Sequence, residues 1–250
     1  MTIKNQKDKE FDTLMAHIKR MQSRYFHALC AFYAYEGMLE IAAPNIVGKP
    51  KAAENVKTMD RYRNFFVIAQ EALQHYFFLE LGKLFDASNQ SLHINKVVNF
   101  TQSNLKKLTV GAFKEYNQDR QLLKELTERY RGIEHSDLTV IKDLLDKQKS
   151  TIEKLKTYRD SWVAHDDAKK PQRPSISAQE VKDLFDTLKK ILNTISGKLN
   201  DETWSYHHVE GDVKNHVSRV VDHLRRFEPY RLKEIDADIK KKYKTLRKAK

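Results

Sequence analysis

The chain is predicted to be all-α, an up-and-down helical bundle with extra helices toward its C-terminal end, on three observations. Apolar residues recur at spacings of three and four through almost every segment, the period of a single helix face. Only 7 Gly and 5 Pro punctuate 250 residues, so turns are few and helices long. Nowhere do apolar and polar residues alternate between turn pairs, as strands require.

The first helix is predicted over residues 8 to 43, with Phe11, Leu14, Ile18, Met21, Tyr25, Ala28 or Leu29, Phe32 and Tyr35 on one stripe. Pro44 and the Gly48-Lys49-Pro50 group end it. A second helix is predicted over 52 to 86. Its later half, from Phe65 to Phe85, is apolar nearly all round and suits the middle of a bundle, with His75 as a core histidine. A turn rich in Asn, Asp and Ser follows. Further helices are predicted over 92 to 103 and over 105 to 131, the latter ending at Gly132 as a C-cap. The next runs from 137 to 165 and stops at the loop around Pro171 and Pro174. Ser177 and Glu180 form a capping box that opens a helix to about residue 199, with Val181, Leu184, Phe185, Leu188, Ile191, Leu192 and Ile195 inward. Beyond Gly197 apolar density falls. A weak helix is predicted over 212 to 227 and a basic one from Tyr230 onward. Residues 1 to 199 read as a core domain, and 200 to 250 as a basic helical appendage.

Composition narrows the function classes. A hydrophobic share of 40% supports a sizeable core, in one large domain or two small ones. The single cysteine, Cys30, excludes an internal disulfide and a zinc site of several cysteines. The first ten residues carry no apolar signal core, and the longest apolar run, Ala28 to Tyr35, is far short of a membrane span. A cytoplasmic protein without a membrane segment is expected. The formal net charge is +12. From Arg225 to Lys250 stand 11 Lys or Arg against 4 Asp or Glu, a balance of +7 and more than half the total. Such a tail attracts polyanions by counterion release and steering, which makes Lys240, Lys241, Lys242, Lys244 and Arg247 candidate RNA contacts. A solvated helix that keeps the protein soluble has the same composition.

One stretch carries chemistry, Tyr158-Arg159-Asp160-Ser161-Trp162-Val163-Ala164-His165-Asp166. A guanidinium offers a fixed fork of donors for phosphate oxygens, and an imidazole exchanges its proton near neutral pH. On an α-helix Arg159, Trp162 and His165 fall at i, i+3 and i+6, with Arg159 and His165 about 9 Å apart along the axis. One helix could then grip a phosphate and move a proton beside it. The loose Arg-to-His spacing also occurs from Arg20 to His27 and from Arg129 to His135. Only Arg159 is followed by an aspartate, and only His165 follows a small residue. The other interpretation makes Arg159 and Asp160 a surface ion pair, Trp162 a core anchor and His165 a helix cap.

Arg159-Asp160-Ser-Trp-Val-Ala164-His165 resembles the signature of HEPN domains, above all the abortive-infection AbiU-type branch, whose motif reads roughly Arg-Asp-Lys-x-x-Ala-His. A second block, Glu80-Leu-Gly-Lys-Leu-Phe-Asp86 followed by Ser91-Leu92, is similar to that branch's Leu-x-x-Leu-x-Asp helix end and Ser-Leu turn. The likeness covers about residues 10 to 200. Ser161 stands where the family has lysine. The resemblance implies a helical bundle, usually a homodimer, and in many members a metal-independent endoribonuclease that needs no cofactor. Carried over, Arg159 would hold and polarise the scissile phosphate, His165 would act as general base or acid for 2′-hydroxyl attack, and Asp160 would orient one of them. RNA would be the substrate, and a paired antitoxin protein a possible partner. The alternative is a non-catalytic helical module that dimerises and binds nucleic acid or a partner protein.

His208, Asp212 and His216 fall at i, i+4 and i+8, a spacing that suits metal ligands on one helix face. Gly211 weakens that helix, and clustered surface histidines are commonly mere polar surface, so no metal is expected. The chain contains no Gly-rich phosphate loop, serine nucleophile elbow or Cys/His pair.

Overall fold

The apolar stripe of residues 11 to 32 builds the first helix, α1 (Lys9–Glu40). The computed structural model describes residues 9–86, 88, 91–163, 172 and 174–248, with the backbone alone at 162, 163 and 243–248. Phe11, Leu14, Ile18, Met21, Tyr25, Ala28, Leu29 and Phe32 are all buried, as their spacing predicts.

Two prolines then set two helix starts. α2 (Pro44–Val47) and α3 (Lys49–Arg61) each carry proline in their first turn, where the missing N–H costs nothing. Gly48 joins them at φ +84°, a backbone that favours glycine. The single helix predicted over 52 to 86 is in fact two, α3 and α4 (Arg63–Leu84), which meet at Tyr62. No Gly or Pro marks that break. Its cause is tertiary: the bend lets Met59 and Tyr62 pack with Phe66 against one cluster containing Ile41 and Val221.

The expectation for α4 also needs correction. Phe77, Phe78, Leu81 and Leu84 are buried, but Phe65 is 65% and Ile68 62% exposed. His75, read from the sequence as a core histidine, is exposed. α4 is therefore buried toward its C-terminal end, while at its start Phe66 is buried and Phe65 and Ile68 are open.

α5 (Ile94–Ser103) is N-capped by the His93 side chain. A 3₁₀ turn (Leu105–Lys107), α6 (Val110–Tyr116) and α7 (Leu123–Arg129) replace the one helix predicted over 105 to 131. Asn117 caps α6 and donates from Nδ2 to Asn200 Oδ1 at 2.7 Å, while Arg120 Nη1 donates to the Asn200 carbonyl at 2.7 Å. Those bonds hold the chain out of helix between α6 and α7, and Leu122 takes the left-handed region at φ 59°. Gly132, at φ +69°, lies in the loop beyond.

The segment predicted as one helix from 137 to 165 starts at His135 and divides at Gln148 into α8 (His135–Lys147) and α9 (Lys149–Tyr158). A π turn, Arg159–Val163, follows α9. α10 (Ala178–Asn200) begins at the expected capping box, with Ser177 Oγ accepting from the Glu180 N–H and Glu180 Oε2 accepting from the Ser177 N–H at 2.8 Å. All seven of its predicted inward residues are buried. Finally, α11 (Val209–Lys248) runs as one helix through Pro229, where two were predicted. Among the described residues there is no strand, so the all-α expectation holds. None of the described helices is long and apolar enough to cross a membrane.

The contacts gather into two compact units. The described parts of the first lie within Met1–Ala31 and His75–His207, and those of the second within Phe32–Gln74 and His208–Lys250. The first unit is cored by the start of α1, the end of α4, α5 and α10, with Leu14, Ile18, Leu81, Leu84, Ile94, Val97, Leu188, Ile191 and Ile195 at 0% exposure. In the second, α11 packs on α3 around Ile41, Phe66 and Val221. Lys51 pairs with Asp222 at 2.8 Å and Arg225 with Glu54 at 3.0 Å. Lys214 sits among three carboxylates, Glu36 and Glu210 at 2.6 Å and Glu40 at 2.7 Å.

Candidate active site

The site is built where the ends of α4 and α9 meet in the first unit. Tyr158, the last residue of α9, is buried and packs its ring against Phe78 of α4 at 4.6 Å. That contact sets the next residue, Arg159, across α4 at Gly82. A Cβ at position 82 would lie 3.0 Å from Arg159 Cδ, so glycine makes the passage possible.

Arg159 is held from two sides. Nη1 meets Asp86 Oδ2 at 2.9 Å, while Nη2 and Nε meet Asp160 Oδ1 at 2.6 and 2.7 Å. The two sequence blocks, one ending at Asp86 and the other starting at Arg159, therefore join in space. Partial burial works against the guanidinium charge, but the hydrogen bonds to Asp160 and Asp86 outweigh it and raise the Arg159 pKa. The arginine side chain is 15% exposed and Asp160 44%, so the Asp160 edge faces solvent more than the Asp86 edge. The π turn from Arg159 to Val163 replaces the α-helical winding assumed from sequence. Wide turns of this type occur often at functional sites.

A cleft of about 320 Å³ opens beside the pair. Gly82, Phe85, Asp86 and Arg159 form one wall, while Asn95, Ile152, Lys149 and Lys156 belong to the others. Asp146 and Glu153 also line it, so the cleft carries both signs of charge.

The second block is anchored from α1. Arg24 Nε donates to Glu80 Oε2 at 2.9 Å, and its Nη1 donates to the Leu92 carbonyl at 3.0 Å. Lys83 Nζ adds a bond to Glu80 Oε1 at 3.1 Å. Burial tends to raise the Glu80 pKa, yet these hydrogen bonds prevail and lower it. His93 closes the turn that follows, its Nδ1 accepting the Lys96 N–H at 3.2 Å. Burial, which outweighs the opposing pull of Asp86, pushes the His93 pKa down.

Of the predicted residues, Arg159 and Asp160 stand together here. His165 lies outside the described residues. Lys240, Lys241 and Lys242 are exposed on α11, and Lys244 and Arg247 fall on its backbone, their side chains outside the description. Among the described residues no three His, Cys, Asp or Glu side chains gather as metal ligands, which leaves His208, Asp212 and His216 without a supporting geometry. Arg24, Gly82 and His93 were not singled out from the sequence. Their signal was position inside or beside the second block, and their roles appear only in three dimensions.

A family description, HEPN AbiU2, matches residues 9–220. The chain belongs to that family. The match takes in both blocks and continues past residue 200, where the sequence resemblance was placed to end, into α11. Comparisons with curated proteins and with solved structures gave no match.

Proposed function

We propose that this HEPN AbiU2 protein is a metal-independent endoribonuclease of the toxin or phage-defence type, with Arg159, Asp160 and His165 as its catalytic group. The observation that carries this is the meeting of Asp86, Arg159 and Asp160 at a cleft, which brings the two family blocks to one place. Family membership supports an abortive-infection role.

In this mechanism Asp86 anchors one arm of Arg159. An RNA phosphate takes the Nε and Nη2 edge, displacing the more exposed Asp160. That edge suits two phosphate oxygens. Asp160, once displaced, is free to orient His165. His165 acts as general base or acid: as base it takes the 2′-hydroxyl proton, the 2′-oxygen attacks phosphorus as the P–O5′ bond breaks, and the departing 5′-oxygen takes its proton from water or from the His165 of a second copy. The products are a 2′,3′-cyclic phosphate and a 5′-hydroxyl. Arginine stabilises the charge that builds on the phosphoryl oxygens, and acid–base help contributes on the order of 10²- to 10⁴-fold. RNA contacts from Lys240, Lys241, Lys242, Lys244 and Arg247, a homodimer with paired sites, a cytoplasmic setting and an antitoxin partner belong to the same proposal, as does the division into residues 1 to 199 and 200 to 250.

A second function fits one specific observation. Arg159 is already engaged by two carboxylates, as in a structural clamp of a non-catalytic binding module. The deciding experiment is RNA cleavage by purified protein in EDTA, with end-group analysis. Cyclic-phosphate ends that fall about 10²-fold or more in both Arg159→Lys and His165→Ala, with unchanged thermal stability, support the nuclease. Full activity in His165→Ala, or no cleavage by wild type, supports the binding module.

A further inference from the structure

α11 has more helix than its own unit can cover. Taking 100° per residue, Val217, Val221, Leu224, Glu228, Leu232, Ile235, Ile239 and Leu246 fall within one stripe about 80° wide. The first part of that stripe is used: Val217, Val221 and Leu224 pack with Ile41 and Phe66. The second part is not. Leu232 is 53%, Ile235 41% and Ile239 48% exposed, and every residue from 232 to 242 is exposed. An isolated helical segment of this length is marginal in water. A stripe with coiled-coil spacing and nothing on it calls for a partner helix.

Charge says which partner. From Leu232 to Asp238 stand Glu234, Asp236 and Asp238 against Lys233, a net negative stretch; Lys240, Lys241, Lys242, Lys244, Arg247 and Lys248 follow Ile239. The helix is acidic on one side of that residue and basic on the other. Two such helices laid parallel would set lysines on lysines. Laid antiparallel with a two-fold axis near Ile239, each acidic stretch lies along the basic stretch of the other copy. Lys242, the one cation inside the stripe, then falls beside Asp236 of the second chain. A polyanion would answer the lysines but not the exposed Leu232, Ile235 and Ile239.

We infer that the segment of α11 from Leu232 onward is a self-association element, which pairs antiparallel with the same segment of a second copy. The segment belongs to the second unit and the cleft at Arg159 to the first, and the inference does not depend on the nuclease proposal. Lys240, exposed and outside the stripe, remains on the far side of the paired helices.

The test uses the full chain, freed of nucleic acid by nuclease and high salt. Sedimentation equilibrium is expected to show a dimer. Ile235→Asp/Ile239→Asp should weaken it on the order of 100-fold while leaving the circular dichroism of the bundle in place. Orientation is read by cross-linking in a Cys30→Ser background with a short bismaleimide. Ile239→Cys should link to itself, and Leu232→Cys should not. A monomer at all accessible concentrations, a dimer that needs RNA, an association unmoved by the double substitution, or efficient Leu232→Cys self-linking would each overturn the inference.

Discussion

His93 shows how a single side chain near the site ties stability to pH. Its Nδ1 caps α5 and it is 6% exposed. Burial holds its pKa below the ordinary 6.5, as it does for His17 on α1. Both histidines bind fewer protons folded than unfolded. Stability is therefore full above about pH 6.5 and declines as pH falls from there toward the lowered native values. Thermal melts from pH 7.5 to 5 should show this decline. His93→Asn, which retains a capping acceptor without a proton site, should flatten part of it. An equally steep decline in that variant would show that the imidazole is not the titrating group. At Arg159 the same scale explains why lysine is no substitute: one ammonium cannot meet Asp86 and Asp160 as three nitrogens of a planar fork do.

Helix ends divide into those written locally and those imposed by packing. The start of α10 is of the first kind. Ser177 and Glu180 cap each other, and Lys154 of α9 pairs with Glu180 at 2.7 Å. The bond from Lys154, followed by those from Ser177, holds the Glu180 carboxyl at about 2. Ser177→Ala should cost about 1 kcal/mol, measurable by urea unfolding, and an effect below a few tenths would mean that Lys154 alone fixes Glu180. The breaks at Tyr62 and between Asn117 and Leu122 are of the second kind. They contain neither Gly nor Pro, and good helix formers surround them. Only partners distant in sequence, such as Asn200 for Asn117 or Ile41 and Val221 for Tyr62, make the bend favourable, so periodicity runs straight through them. Pro229 is the opposite case. A local rule placed a helix boundary there, and α11 continues across it.

At the scale of the whole molecule, the all-α class was legible because one face of each helix carries its own period. α10 is the clearest instance, with every predicted inward residue buried. The candidate site was legible as two sequence blocks, not as geometry. Nothing local says that Gly82 clears a path for Arg159 or that Arg24 reaches both Glu80 and the Leu92 carbonyl. The apolar stretch at the start of α4 misled, because hydrophobic content alone does not separate a buried helix from one with an open face. Net charge acts at this scale too. If the exposed Lys240, Lys241 and Lys242 touch phosphates, replacing all three with glutamine should lower the slope of log affinity against log salt by about 2 for single-stranded RNA. An unchanged slope would place the strand elsewhere.

The Lys214 cluster adds a last consequence. Three carboxylates, Glu36, Glu40 and Glu210, surround one ammonium, which leaves a local surplus of two negative charges (three minus one) in a chain of formal charge +12. The positive charge of the chain is therefore unevenly placed. If the protein binds RNA, the surplus at Glu36, Glu40 and Glu210 repels a strand from this part of the second unit.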